Sequence, residues 1–122
     1  MNFNDEERQE YSMSFVDGDL DITRKIKHIE KLKSSLLSQI ADLFVSMSEE
    51  DQLEGDTSVG ILADILILTY LLSNKLGTPN EALDLKVINK LKLAIIENEN
   101  NASDWHNELT LLQKHLIKTR TY

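Results

Sequence analysis

The chain has 122 residues, 41% hydrophobic and 28% charged, with one Pro and four Gly. That is enough for one domain with a core, and too few chain breakers for anything but long helices. It contains no cysteine, which excludes disulfides, thiolate metal sites and thiol catalysis. Of the net charge of −8, residues 1–21 carry −6 (seven acids, one Arg) and the rest only −2, which argues against general nucleic-acid binding.

Residues 1–20 show no sustained periodicity, with Phe3, Tyr11, Met13 and Phe15 scattered among polar side chains. The expectation is an acidic N-terminal tail, mobile or pinned by a few aromatic contacts, ahead of a helical domain over residues 21–122. Acids stand where an export signal needs a basic start and an apolar run, so the expected location is cytoplasmic.

Asp21 reads as the N-cap of a long first helix. Ile22, Ile26, Ile29, Leu36, Ile40, Leu43 and Met47 recur there at steps of three, four or seven, widened by Leu32, Leu37 and Phe44. The basic segment RKIKHIEKLK, from Arg24 to Lys33, is interrupted by apolar residues at helical spacing. It therefore reads as a solvated helix face rather than a phosphate-binding patch. The acidic stretch 48–56 is expected to be a loop.

The second helix is predicted over residues 57–76. It is apolar almost all round, so it should be central, enclosed by other helices or a second subunit. Its apolar run, residues 59–72, falls short of the roughly 20 residues needed to span a bilayer. Gly77 reads as its C-cap. Thr78-Pro79-Asn80-Glu81 follows as a capping box with proline at the first helical position. In the third helix Leu83, Val87, Ile88, Leu91 and Ile95 should point inward and Lys86, Lys90 and Lys92 outward. Residues 97–103 are expected to be a loop, with Ser103 capping a fourth helix whose Trp105, Leu109, Leu112 and Leu116 share a stripe. The β-branched residues all fall within helical patterns, so the fold class is all-α, a four-helix bundle.

Little chemistry is on offer. His28, His106 and His115 form no spaced ligand pair and read as surface groups, and no glycine-rich phosphate loop occurs. Asp64 is the only charged residue between Asp56 and Lys75. Burying a carboxylate in such an apolar stretch is costly unless a cation, a donor or a metal ion meets it. Gln39 and Asp42, three residues apart on the first helix, face a returning helix that carries Asp64. These three oxygen-bearing groups suit Mg²⁺, a hard cation that keeps several waters and can link phosphate oxygens to an attacking water. The alternative at this point is plain: Asp42 faces solvent, Asp64 accepts from Lys, Tyr70 or backbone, and Gln39 is an ordinary helix former.

DITRKIKHIEKLKSSLL, LADILILTYLLSNKLG, VINKLKLAI and DWHNELTLL together resemble the MazG-like family over roughly residues 19–116. That family belongs to the all-α nucleoside triphosphate pyrophosphohydrolases. The resemblance implies an EExxE segment on one helix and an ExxD segment on the next, whose carboxylates bind magnesium beside the triphosphate. The first falls on Ser38, Gln39, Ile40, Ala41 and Asp42, and the second on Ile61, Leu62, Ala63 and Asp64. Asp42 and Asp64 keep acids as metal ligands and catalytic groups, Gln39 is a further metal-site residue, and Lys90 (Lys92 as second choice) matches the phosphate-contacting lysine. Ser38, Gln39 and Ile61 replace three carboxylates, which removes most of the field that attracts Mg²⁺. The resemblance thus implies a degenerate site with weak or lost cleavage between α- and β-phosphates. It also implies a nucleotide ligand and a homo-oligomer, dimer or tetramer, with neither nucleic acid nor membrane as partner. The rival reading is a noncatalytic interaction or nucleotide-sensing module.

Overall fold

The computed structural model describes the backbone of residues 3–49, 56–101 and 105–119, and the side chains of residues 18–49, 57–97 and 105–119. Four helices make up the described chain: α1 (Phe3–Ser48), α2 (Asp56–Lys75), α3 (Asn80–Asn101) and α4 (His106–Thr119). No strand occurs among the described residues, so the all-α expectation holds. The acidic stretch expected as a loop lies mostly outside the described residues, as does Ser103.

Two boundaries differ from the sequence reading. α1 starts at Phe3 rather than Asp21, so Asp21 is a mid-helix residue paired with Arg24 at 3.9 Å. The segment ahead of it lacks Pro and includes three Glu, a Gln and an Arg, which are good helix formers. α3 likewise continues through the expected loop to Asn101. That stretch contains neither Gly nor Pro, and Glu is a good helix former.

The connection between α2 and α3 is closer to expectation. Gly77 has φ of 94°, the left-handed geometry of a C-cap that a Cβ disfavours. The amide of Leu76 donates to the Leu72 carbonyl at 3.0 Å. Pro79 then opens α3, its carbonyl accepting from the amides of Ala82 and Leu83, each at 3.1 Å. Glu81 lies in the first turn, where negative charge meets the free amides.

The chain divides into two units, Met1–Leu76 and Gly77–Tyr122. In the first, α1 packs on α2. The half-buried residues Ile29, Leu32, Leu36, Ile40 and Leu43 form one stripe of α1, and Ile61, Ile65, Leu68 and Leu72 one stripe of α2. Near one end the buried Ser46 hydroxyl is 3.0 Å from that of Ser58, so each satisfies the other. Within this unit α2 is not enclosed as the sequence suggested: none of Thr57–Lys75 is buried, and Val59, Leu62, Leu66, Ile67 and Leu71 are exposed. A single neighbour covers only one stripe of a helix that is apolar on every side.

In the second unit α3 packs on α4, around Ile88 and Leu91, which are 5% and 7% exposed. Leu83 and Ile95 are half-buried beside them, while Val87 is exposed and Lys86, Lys90 and Lys92 point to solvent. Of the predicted α4 stripe Leu109 and Leu116 are half-buried, joined by His106, Thr110 and Gln113, whereas Trp105 is 67% exposed and Leu112 is exposed as well. His106 is therefore not the surface group expected: its Nδ1 is buried without a hydrogen-bond partner.

Replacing Gly77 by Ala should cost about 1–2 kcal/mol, because a Cβ is forced into the left-handed region. Thermal unfolding of G77A should show a lowered Tm, and an unchanged Tm would contradict this cap geometry.

Candidate functional site

Antiparallel pairing of α1 and α2 sets the register of everything on them. The Ser46–Ser58 contact fixes one end. An open cleft of ≈ 430 Å³ beside it takes its walls from Asp42, Val45, Ser46 and Glu49 of α1 and from Thr57 and Ile61 of α2. Further along the pair a second cleft of ≈ 270 Å³ is lined by His28, Lys31, Leu32 and Ser35 together with Leu68, Leu71 and Lys75.

The spacing of these linings is informative. Thr57, Ile61, Asp64, Leu68, Leu71 and Lys75 follow steps of four and three, which is one row along a helix. On α1 the matching row is His28, Lys31, Ser35, Ser38, Asp42, Val45 and Glu49. The two clefts thus lie on the same rows of the hairpin, with Ser38 and Asp64 falling between them in sequence and lining neither. Gln39, half-buried, sits one row inward.

Asp42 and Ile61 are brought together as walls of one cleft. Both Asp42 and Asp64 are exposed. Asp64 is thus not buried as its apolar surroundings in the sequence suggested: its carboxylate is exposed although Ile61 and Leu68 share its row, and it needs no private partner. Lys90 is exposed on α3, in the second unit. Among the described residues no three His, Cys, Asp or Glu side chains come together as a metal site.

Glu49 was not singled out in the sequence, although it lies on the Asp42 row and lines the same cleft. Lys75 was missed in the same way, having been read as part of a helix end. The signal for both was the heptad step, visible once the facing rows are known.

The match to known proteins agrees with this architecture. Residues 22–109 match the MazG-like family, nearly three-quarters of the chain and all of Gln39, Asp42, Asp64 and Lys90. The chain belongs to the MazG-like family. No curated protein and no solved structure matches it.

Against the magnesium centre that the family implies, the donor set fits poorly. The motif rows supply Asp42 and Asp64, but the position facing Asp42 across the cleft holds a half-buried isoleucine. Mg²⁺ demands near-octahedral hard oxygen ligands and loses its waters reluctantly, so an alkyl wall there offers it nothing. Ile61→Glu should therefore strengthen Mg²⁺ binding by about tenfold, equivalent to ~1.4 kcal/mol, at some cost in stability. Calorimetric titration of the variant with Mg²⁺ checks this, and an affinity equal to that of the parent chain would contradict the convergence of the two rows.

Proposed function

We propose that this MazG-like chain is a homo-oligomeric helical protein in which nucleoside triphosphate pyrophosphohydrolysis is weak or lost. The observation that supports this best is Ile61 beside Asp42 in the cleft between α1 and α2. An apolar side chain stands where the family reaction calls for a carboxylate, and three of five motif acids are replaced. Catalysis of phosphoryl chemistry by a bound cation depends on the local negative field that holds it, and among the described residues the carboxylates lining this cleft are those of Asp42 and Glu49.

The second reading, a noncatalytic module that senses a nucleotide or engages another protein, rests on the same substitution. In either case Lys90 is the proposed phosphate contact. It is an exposed lysine without an ion pair among the described residues.

A second copy of the chain is the proposed cover for the exposed Val59, Leu62, Leu66 and Ile67 of α2, and the cytoplasm its proposed location. By length and composition Thr57–Lys75 would cross a membrane, with a mean hydropathy of 1.5. Asp64 near its middle disfavours that, because a carboxylate at a bilayer centre costs about 2.5–3.5 kcal/mol. A water-filled groove asks no such cost of it.

Pyrophosphate release from a panel of nucleoside triphosphates with Mg²⁺ or Mn²⁺ tests the proposal. Turnover should stay close to background, and any residue of it should vanish in Asp64→Asn and fall in Lys90→Gln. Robust turnover that D64N abolishes would overturn the loss of activity while keeping the site. Robust turnover indifferent to D64N would overturn both.

A further inference from the structure

The end of the groove far from Asp42 has no role so far. Leu32, Leu68 and Leu71 form the apolar surface of its ≈ 270 Å³ cleft, and His28, Lys31 and Lys75 surround it. We propose that this cleft binds an amphiphilic anion: an alkyl or acyl chain seated on the leucines, with a phosphate or carboxylate head held by the two lysines and His28.

Charge is the first argument. The chain as a whole carries −8, yet no carboxylate lines this cleft. Among the described residues Lys31 and Lys75 make neither a hydrogen bond nor an ion pair. The acids that might have met them are engaged or distant. Glu30 accepts from Lys33 Nζ at 3.0 Å, Asp21 pairs with Arg24, and Asp64 lies eleven residues from Lys75, roughly 16 Å along the helix.

Lys75 is also half-buried, and no carboxylate of the cleft stands beside it. The carbonyl end of α2 partly compensates its charge. Lys31, in the middle of a 46-residue helix, has no such compensation. An anion seated between the two lysines would meet both.

The walls decide the rest of the ligand. Recognition of a nucleobase edge needs several well-placed donors and acceptors, and beyond the charged groups the lining offers only the Ser35 hydroxyl. Leucine side chains instead favour methylenes, each of which strengthens binding by about fourfold when fully buried. The segment from Arg24 to Lys33, read from sequence as a solvated face, thereby contributes His28 and Lys31 to a site whose other half comes from α2.

Calorimetric titration of the full chain with octyl phosphate below its micelle concentration, without metal or nucleotide, tests this separately from any hydrolysis. Binding should saturate at one ligand per protomer and be at least about tenfold tighter than for butyl phosphate, octanol or inorganic phosphate. Lys31→Gln and Lys75→Gln should each weaken it about tenfold, with helicity by circular dichroism unchanged, and Lys33→Gln should leave it as it is. Octanol binding as well as octyl phosphate, or indifference to both cleft lysines, would overturn the proposal. Adenosine monophosphate binding more tightly than octyl phosphate in a Lys75-dependent way would overturn the alkyl class of ligand.

Discussion

Everything in the first unit depends on the pairing of two helices that are each apolar on more than one side. α2 has leucine and isoleucine around nearly its whole circumference, and α1 covers one stripe of it. Among the described residues the first unit buries no hydrophobic side chain, and its one buried residue is the polar Ser46. Leu66 is 61% exposed on α2, and Phe44 is 63% exposed on α1. Packing of apolar faces supplies most of the stability of helices in proteins, and an isolated helical pair offers little of it. The proposed second copy meets this constraint through hydrophobic burial, with the side chains already in place to supply it.

The same pairing produces the groove. Because α1 and α2 run antiparallel, a heptad row on each meets along one side, and the residues on those rows determine what that side can bind. At one end the rows bring Asp42, Glu49 and Ile61 together; at the other they bring His28, Lys31 and Lys75 around leucines. The result is a groove with an acidic end and a basic end about 16 Å apart along the helix axis, taken as eleven residues. The proposed metal-ligand residue Asp42 lies in the acidic part, beside Ile61.

Much of this architecture was legible in the sequence because helix periodicity is a local signal. The middle of the α1 stripe, most of the α3 stripe, the glycine at Gly77 and the helix opening at Pro79 follow from spacing and backbone chemistry. By contrast Ile22, Ile26, Leu37, Phe44 and Met47, expected on the α1 stripe, and Val87, expected on that of α3, are exposed. The start of α1 differs from expectation because residues 3–20 lack an apolar stripe, yet they contain no Pro and a single Gly, Gly18, which the helix tolerates. The end of α3 was misread for a similar reason: Asn-rich sequence suggests a loop, but only Gly or Pro forces one. Trp105 and His106 exchanged roles, whereas Leu109 and Leu116 kept theirs.

Asp64 is the most useful error. An acid among Ile and Leu reads as a buried charge only if another helix covers its face, and Asp64 is exposed even though Ile61 and Leu68 share its row. Its relation to Ile61, Leu68 and Lys75 at steps of three and four needs the facing helix to interpret. The most direct measurement of the account is the mass of the full-length chain in solution by sedimentation, followed from micromolar to nanomolar concentration. An even multiple of the 14.0 kDa protomer, reduced to monomer with loss of helicity in Leu66→Glu, is the predicted result. A folded monomer throughout the micromolar range would contradict it.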